Sequence, residues 1–301
     1  MRQGNALAPT QQGAQHGIRT PLHARDVWKT AKSILQYILL YGLGLLILAP
    51  FIWVALSAFK SESELLRYPP TLFPQRPTLD NFTQFFDATQ FQRAMFNSAL
   101  VATATTALAL GAATPAAYAL TRFHNRAFEW IARLFVYAYM IPSILLVLPV
   151  YRIFFRMGLS NTLYGLIIIY VALVMPLTLW TLRSFFAGIP VDLEEAAMID
   201  GATRFGAFLR VVVPQAIPGM IATGIIALNV GWSEYLFGAT LLSRPDVLTI
   251  SPRLESFMGR GLFNWGWLMA GALAVTAPLI VVAGVAQRFL VAGWGAGAVK
   301  G

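Results

Sequence analysis

Residues 33–59 of the chain read SILQYILLYGLGLLILAPFIWVALSAF and carry no charged side chain between Lys32 and Lys60. A helix needs about 20 apolar residues to cross a bilayer core of about 30 Å, so this stretch can span a membrane. Five further charge-free stretches follow, at 94–121, 134–151, 157–182, 211–233 and 261–287. The sequence therefore predicts an all-α integral membrane protein with six transmembrane helices, placed at roughly 34–56, 97–120, 133–151, 162–182, 217–241 and 266–287.

The overall composition supports a membrane protein and excludes other classes. Hydrophobic residues make up 57% of the 301 residues and charged residues only 12%, whereas soluble domains carry about 25% charged residues. A disordered chain would combine low hydrophobicity with many charges, so this class is excluded. The net charge of +9 comes from short basic groups between apolar runs, not from the clustered basic face of a nucleic-acid-binding protein. The absence of cysteine excludes disulfides, thiolate metal sites and a cysteine nucleophile.

The distribution of Lys and Arg predicts the orientation, because basic residues favour the cytoplasmic side of a membrane. Five of them precede the first span: Arg2, Arg19, Arg25, Lys29 and Lys32. We therefore expect both termini in the cytoplasm and a long inner loop at about 184–216. Residues 1–30 are predicted to be a disordered cytoplasmic leader, followed by a six-helix transmembrane domain at 31–301. The first apolar stretch is too long for a cleavable signal peptide.

The inner loop contains the most informative segment, DLEEAAMIDGAT at 192–203. Pro190 interrupts the chain before it, and Asp192 followed by Glu195 fits a capping box at the start of a helix. We expect this helix to run on to Pro214. Four residues at three- and four-residue spacing are predicted to share one of its faces: Glu194, Ala197, Gly201 and Phe205. Such a helix could dock into a groove on a partner or lie on lipid headgroups, and its acidic side chains make contact with anionic lipid unfavourable.

This segment resembles the signature of permease subunits of binding-protein-dependent ABC importers. In that signature Glu-Ala-Ala is followed by a glycine and, nine residues later, by Ile-x-Leu-Pro. The chain has Glu195-Ala196-Ala197, Gly201 and then Val211-Val212-Val213-Pro214, with Val in place of Ile and Leu. The resemblance is to the carbohydrate branch, of the maltose type, and covers nearly the whole chain after the leader. Its other segments are Phe96-Asn97-Ser98, residues 116–123, Gly158-Leu159 with Thr162, residues 231–237 and residues 297–301. Ser233 stands where the family usually has asparagine.

The resemblance implies a type I ABC importer permease core in a bacterial inner membrane. It implies a second permease subunit, two copies of a cytoplasmic ATPase that bind ATP and Mg, and an external solute-binding protein that delivers a sugar such as an oligosaccharide. The helix at 194–203 would be the coupling helix that seats in the ATPase. The implied coupling residues are Glu194, Glu195, Ala196, Ala197, Asp200, Gly201 and Pro214. The tail at 299–301 would also reach the ATPase, and the region at 251–259 would approach the solute.

Sequence patterns for enzymatic chemistry are absent from the chain. No G-x-x-x-x-G-K-[ST], H-E-x-x-H or G-x-S-x-G pattern occurs. The three histidines, His16, His23 and His124, lie outside the predicted spans. We therefore expect no catalytic residue, metal or cofactor on this chain, and ATP hydrolysis by a separate partner chain.

Glu234 is the only acidic residue within a predicted span, and an ionisable group there is a candidate functional residue. It shares a helical face with Gly231 and Gly238, so it could instead bond across a tight helix contact. The other candidates for a solute path are Asn229, Trp232, Ser233 and Tyr137.

Three other functions are alternatives to sugar import. Uptake of glycerol phosphate or another polar solute is the nearest alternative, since related permeases serve both. An ion-coupled secondary transporter would normally show ionisable residues in several spans and an inverted repeat. An intramembrane enzyme would need one of the missing catalytic patterns.

Overall fold

The structure, a computed structural model, describes residues 22–123, 125–258 and 264–298. All regular structure in these residues is helical, which confirms the predicted all-α class. In chain order the helices are α1 (Leu22–Ala58), α2 (Glu62–Leu65), α3 (Asp80–Thr89), α4 (Phe91–Arg122), α5 (Arg126–Tyr139), α6 (Ser143–Arg156), α7 (Leu163–Ala187), α8 (Asp192–Ile199), α9 (Arg204–Ala207), a π-helical turn (Phe208–Val212), α10 (Val213–Ser233), α11 (Leu236–Leu241), α12 (Ile250–Met258) and α13 (Trp265–Ala298).

The chain divides into two units, and the boundary lies inside α1 after Trp53. The first unit contains the larger part of α1, which remains helical through Pro50. Of the predicted leader at 1–30, residues 1–21 lie outside the described residues, and 22–30 are helical instead of irregular. The second unit begins at Val54 and contains the helices from α2 onward.

Five helices among the described residues are long and apolar enough to cross a membrane: Trp28–Ala58, Phe91–Arg122, Leu163–Ala187, Arg204–Leu241 and Trp265–Gln287. They overlap five of the six predicted spans. The predicted third span at 133–151 is not one straight helix, because α5 and α6 meet at 102° across a short break. Pro142 stands at that break; it has no amide hydrogen for a continuous helix and disfavours helical geometry in the residue before it. A sixth span exists only if this bent pair is counted as one.

Helix α4 packs against α7 and α10 through small side chains. Its buried stripe consists of Ala102, Thr105, Ala109, Ala113 and Ala117, whose three- and four-residue spacing places them on one face. Opposite this stripe, Gly231 of α10 comes so close that a methyl group there would lie 2.8 Å from Cα of Ala102. Small residues allow membrane helices this close an approach, and Gly224 and Gly231 of α10 are both buried.

The predicted fifth span at 217–241 is interrupted near its end. Helix α10 ends at Ser233 and α11 begins at Leu236, and Glu234 between them has an extended backbone with φ −64° and ψ 129°. The start of this span is also irregular, because the π-helical turn precedes Pro214. Proline cannot donate an amide hydrogen bond to the preceding turn, so a widened turn is a natural way to enter this helix.

At one end of α4, side chains hold the backbone of the segment 241–250. Asn97 Nδ2 donates to the carbonyls of Asp246 and Leu248 (3.1 and 2.9 Å). Ser98 Oγ accepts the Ile250 amide (2.9 Å). Asn161 Oδ1 accepts the amides of Ser243 and Arg244 (2.6 and 3.1 Å). Each bond reaches a backbone group of the segment. This part of the chain is therefore fixed in place by its neighbours.

The connection between the first two spans, at 59–90, is also an ordered structure. The carboxylate of Glu64 accepts hydrogen bonds from the Thr71 hydroxyl (2.7 Å) and the Gln75 amide (3.0 Å), and the Lys60 ammonium donates to the Thr71 carbonyl. The bond from Thr71 is the main reason why the pKa of the Glu64 carboxyl lies below its usual value.

Candidate functional site

Helix α8 carries the segment that resembles the importer signature, and it begins differently from the prediction. Its N-cap is Val191, and no side chain caps it, so the predicted capping box of Asp192 and Glu195 is wrong. Asp192 is instead the first helical residue. With Glu194 and Glu195 it places three carboxylates in the first turn, where the helix dipole favours negative charge.

The predicted continuation of this helix to Pro214 is also wrong. Helix α8 ends at Ile199, and Gly201 follows it with φ +93°, a conformation that side-chain-bearing residues rarely adopt. Thr203 then caps α9, because its Oγ1 accepts the Gly206 amide at 3.1 Å. Gly201 therefore terminates a helix and does not bend one, and the predicted shared face does not extend to Gly201 or Phe205.

The two adjacent glutamates of α8 have different surroundings. Glu195 is exposed, whereas Glu194 is only 4% exposed. One carboxylate oxygen of Glu194 lies 3.0 Å from Nε of Arg122, and the other accepts a hydrogen bond from the Tyr118 hydroxyl. Arg122 also donates from Nη2 to the Ile189 carbonyl at 3.0 Å. No role was predicted for Tyr118 or Arg122, although both lie within residues 116–123, which resemble the importer permeases. Their spacing of four residues at the end of a span indicates that they share a helical face.

The outward face of α8 is apolar with an acidic border. Ile199 is 86% exposed and Leu193 43% exposed, and Ala196 between them is also exposed. Glu195 and Asp200 flank these side chains and are exposed as well. Of the other predicted coupling residues, Ala197 is half-buried, Gly201 is exposed, and Pro214 lies in the first turn of α10.

Glu234 acts as a helix cap in the break between α10 and α11. Its carboxylate accepts the amides of Phe237 (3.1 Å) and Gly238 (3.3 Å), and its carbonyl accepts the Tyr170 hydroxyl (3.2 Å). A carboxylate at a helix N-terminus satisfies amides that have no partner within the helix. The predicted alignment of Glu234 with Gly231 and Gly238 on one continuous helix is therefore wrong.

The remaining solute-path candidates separate into two groups. Asn229 and Ser233 are both exposed on α10, one helical turn apart, and Ser233 Oγ donates to the Asn229 carbonyl at 2.7 Å. Trp232 is only 7% exposed, and its Nε1 donates to the Val275 carbonyl on α13 at 3.1 Å. Tyr137 lies on α5 and is 58% exposed.

Trp232 also borders a cavity of about 170 Å³ between α4, α10 and α13. The cavity lining is almost entirely apolar: Ala99, Ala102, Thr103, Leu228, Trp232, Pro278, Leu279 and Val282. Such a lining offers a sugar few hydrogen-bond partners. Among the residues that the structure describes, no three acidic or histidine side chains gather into a possible metal group.

The structure describes only part of the two regions to which the resemblance gives a role, the tail at 299–301 and the region at 251–259. The tail at 299–301 and residue 259 lie outside the described residues. The rest of 251–259 forms most of α12, where Ser251 Oγ donates to the Ser233 carbonyl at 3.2 Å.

Comparison with known proteins places this architecture in one family. The sequence model described as "Binding-protein-dependent transport system inner membrane component" matches residues 106–295. The sulfoquinovosyl glycerol transport system permease protein SmoH of Agrobacterium fabrum is 36% identical, over 84% of this chain and 89% of the relative. The trehalose transport system permease protein SugB of Mycobacterium tuberculosis is 35% identical, over 84% of this chain and 93% of the relative.

A solved structure supports the same fold. The crystal structure of a bacterial ABC transporter involved in the import of the acidic polysaccharide alginate contains a chain that matches with a TM-score of 0.71. The alignment covers 87% of this chain and 97% of that chain, at 20% sequence identity.

Proposed function

Because this chain belongs to the family of inner membrane components of binding-protein-dependent transport systems, we propose that it is the permease subunit of an ATP-driven importer whose solute is a sugar. One observation carries the choice of solute. Relatives at 36% and 35% identity over 84% of the chain are named for the transport of sulfoquinovosyl glycerol and trehalose. The chain itself is a membrane component of a transporter, in line with the named roles of these relatives.

The partners follow from this role. The chain pairs with a second permease subunit, receives its solute from an external solute-binding protein, and is driven by two copies of a cytoplasmic ATPase. ATP and Mg bind to the ATPase. This arrangement requires both termini and the loop that contains α8 to lie in the cytoplasm.

The exposed face of α8 supports docking of the ATPase at this helix. Ile199 and Leu193 expose apolar surface next to Glu195 and Asp200. Interfaces of this kind combine an apolar centre with a charged border. Gly201 shapes the end of the helix, and Ala196 keeps its middle narrow enough to enter a groove.

For the solute path, the exposed pair of Asn229 and Ser233 is the best candidate on α10. Their amide and hydroxyl groups can exchange hydrogen bonds with sugar hydroxyls. Trp232 supports the helix packing behind them, and Glu234 stabilises the break beside them. Tyr137 remains a candidate for stacking on a sugar ring because its side chain is exposed.

An ion-coupled transporter receives less support from the geometry. The Glu234 carboxylate already accepts backbone amides, so it is engaged in a structural role. Glycerol phosphate and other polar solutes remain alternatives to a sugar and are included in the transport test.

Affinity purification in mild detergent, followed by mass spectrometry, tests the assembly. We expect a second permease and an ATPase to co-purify, and Glu195→Lys to reduce recovery of the ATPase. Recovery of the chain alone would count against the importer. Proteoliposomes that contain the complex and its binding protein are then tested with trehalose, maltose, an alginate oligosaccharide and glycerol phosphate. Stimulation of ATP hydrolysis by glycerol phosphate alone would overturn the choice of a sugar.

A further inference from the structure

We propose that Tyr118, Arg122 and Glu194 form a latch that holds α8 against the end of α4 and transmits movement of α8 to that span. The inference rests on the proposed function, since it assumes that an ATPase moves α8. It assigns Glu194 a positioning role and leaves docking to Glu195.

The latch connects parts of the chain that are far apart in sequence. Arg122 and Glu194 are separated by 72 residues, and Tyr118 and Glu194 by 76. Tyr118 and Arg122 are four residues apart on α4, so they lie on one face of the helix. Together they bind both oxygens of the Glu194 carboxylate.

Arg122 contacts the connection to α8 at two points. Its Nε binds Glu194 within the first turn of α8, and its Nη2 binds the carbonyl of Ile189 just before that helix. The short segment that contains Pro190 is thus held at both ends by one guanidinium. This two-point contact restrains rotation of α8 as well as its distance from α4.

The surroundings of the latch exclude water. The Arg122 and Glu194 side chains are 9% and 5% exposed. The ring of Tyr118 packs against Phe208, with centroids 4.5 Å apart, and against Phe186 at 6.3 Å. Separating the two charges would leave each without its counter-charge in an apolar environment, so the ion pair resists separation when α8 is displaced.

The latch also joins α8 to a buried hydrophobic cluster between the helices. Tyr118 belongs to a buried cluster with Ala117, Leu182, Phe186 and Val212, contributed by α4, α7 and the π-helical turn. Close-packed interiors transmit strain because they contain little free volume. Displacement of α8 therefore moves α4 instead of being absorbed locally.

The test uses the whole complex in proteoliposomes and measures two quantities: recovery of the ATPase with the permease, and the amount of solute transported per ATP hydrolysed. For Glu194→Gln we expect the complex to be recovered and transport per ATP to fall about tenfold, within the range for residues that modulate coupling. Glu194→Asp retains the charge on a shorter side chain and should restore part of the loss.

Glu129→Gln is the matched control. It breaks the Arg183–Glu129 ion pair (2.8 Å), which joins α7 to α5 and is more exposed. This pair does not involve α8, so transport per ATP should stay at the wild-type value. An equal loss in Glu129→Gln would mean that any ion pair at this end matters, and would contradict a specific latch.

If the Glu194→Gln complex cannot be recovered, Tyr118→Phe decides the question. It removes one hydrogen bond and leaves the ion pair, so assembly should survive and transport per ATP should fall. A wild-type ratio in Tyr118→Phe, or in a recovered Glu194→Gln complex, would overturn the latch. Failure of the wild-type chain to recover any ATPase would instead overturn the proposed function.

Discussion

The contact between α4 and α10 permits a graded test of how closely these helices approach. Three glycines differ in what a new methyl group would meet. At Gly111 nothing lies within 4 Å; at Gly224 the nearest atom is Leu110 Cδ1 at 3.1 Å; at Gly231 it is Cα of Ala102 at 2.8 Å. Alanine is the smallest change that adds this methyl group.

The expected changes in stability follow from these distances. Carbon atoms in contact normally lie about 3.5–4.0 Å apart, so the methyl group at Gly231 is about 1 Å too close to a backbone atom. Overpacking of this kind costs about 1–3 kcal/mol. Replacing glycine by alanine within a helix also contributes up to about 1 kcal/mol of stability at any of the three sites. Gly111→Ala should therefore be stabilising, and Gly231→Ala less stable than Gly111→Ala by about 1–3 kcal/mol. Gly224→Ala should fall between them, because the tip of Leu110 can rotate away.

Thermal unfolding of the purified variants in detergent, followed by fluorescence-detected size exclusion, ranks the three variants by stability. A difference of this size corresponds to several degrees in Tm. The reasoning fails if the three variants melt together, or if Gly231→Ala is the most stable. Either result would mean that α4 and α10 are further apart than in the structure.

Three further predictions concern single sites. Glu234→Gln should lower the melting temperature through a weaker cap, by about 1 kcal/mol, and leave solute preference unchanged; a new preference with normal assembly would make Glu234 a solute ligand. Gly201→Val should leave the chain inserted but reduce solute-stimulated ATP hydrolysis in the complex, because φ +93° is strained for valine; unchanged stimulation would contradict a coupling role for this turn. The lowered pKa of Glu64 stabilises the folded loop above the unfolded value of about 4.3, and this contribution is lost as the pH falls through the lower folded value. Protease cleavage at 60–79 should therefore rise with acid in the wild type and change less in Glu64→Gln, whereas equal pH profiles would argue against the Thr71 bond.

Charge spacing was sufficient to find most of the spans. The stretches between charged residues predicted five helices that the structure contains, because burying a charge in lipid is costly whatever the tertiary fold. The same pattern could not show that the third span bends. A charge-free stretch is equally compatible with one straight helix and with two helices that meet at an angle. Pro142 can either kink a helix or end it.

The structure has a helix, α8, within the segment predicted to be the coupling helix, but its end and its faces differ from the prediction. Helical spacing extended one face from Glu194 to Phe205, whereas the helix stops at Ile199. The inward direction of Glu194 depends on Arg122, which lies far away in sequence. Local periodicity contains no information about such a partner. Glu234 was misplaced for a related reason, since a carboxylate can end one helix and begin another within a stretch that reads as continuous.

The hydrogen bonds that hold the segment 241–250 affect which changes of its amino-acid sequence the fold can tolerate. Asn97, Ser98 and Asn161 bind its backbone groups, so the attachment does not depend on which side chains the segment carries. The exposed residues at 243–245 can therefore change with little effect on where the segment sits. Natural or engineered substitutions can therefore change the charge and polarity of this surface while its position on the helices stays the same.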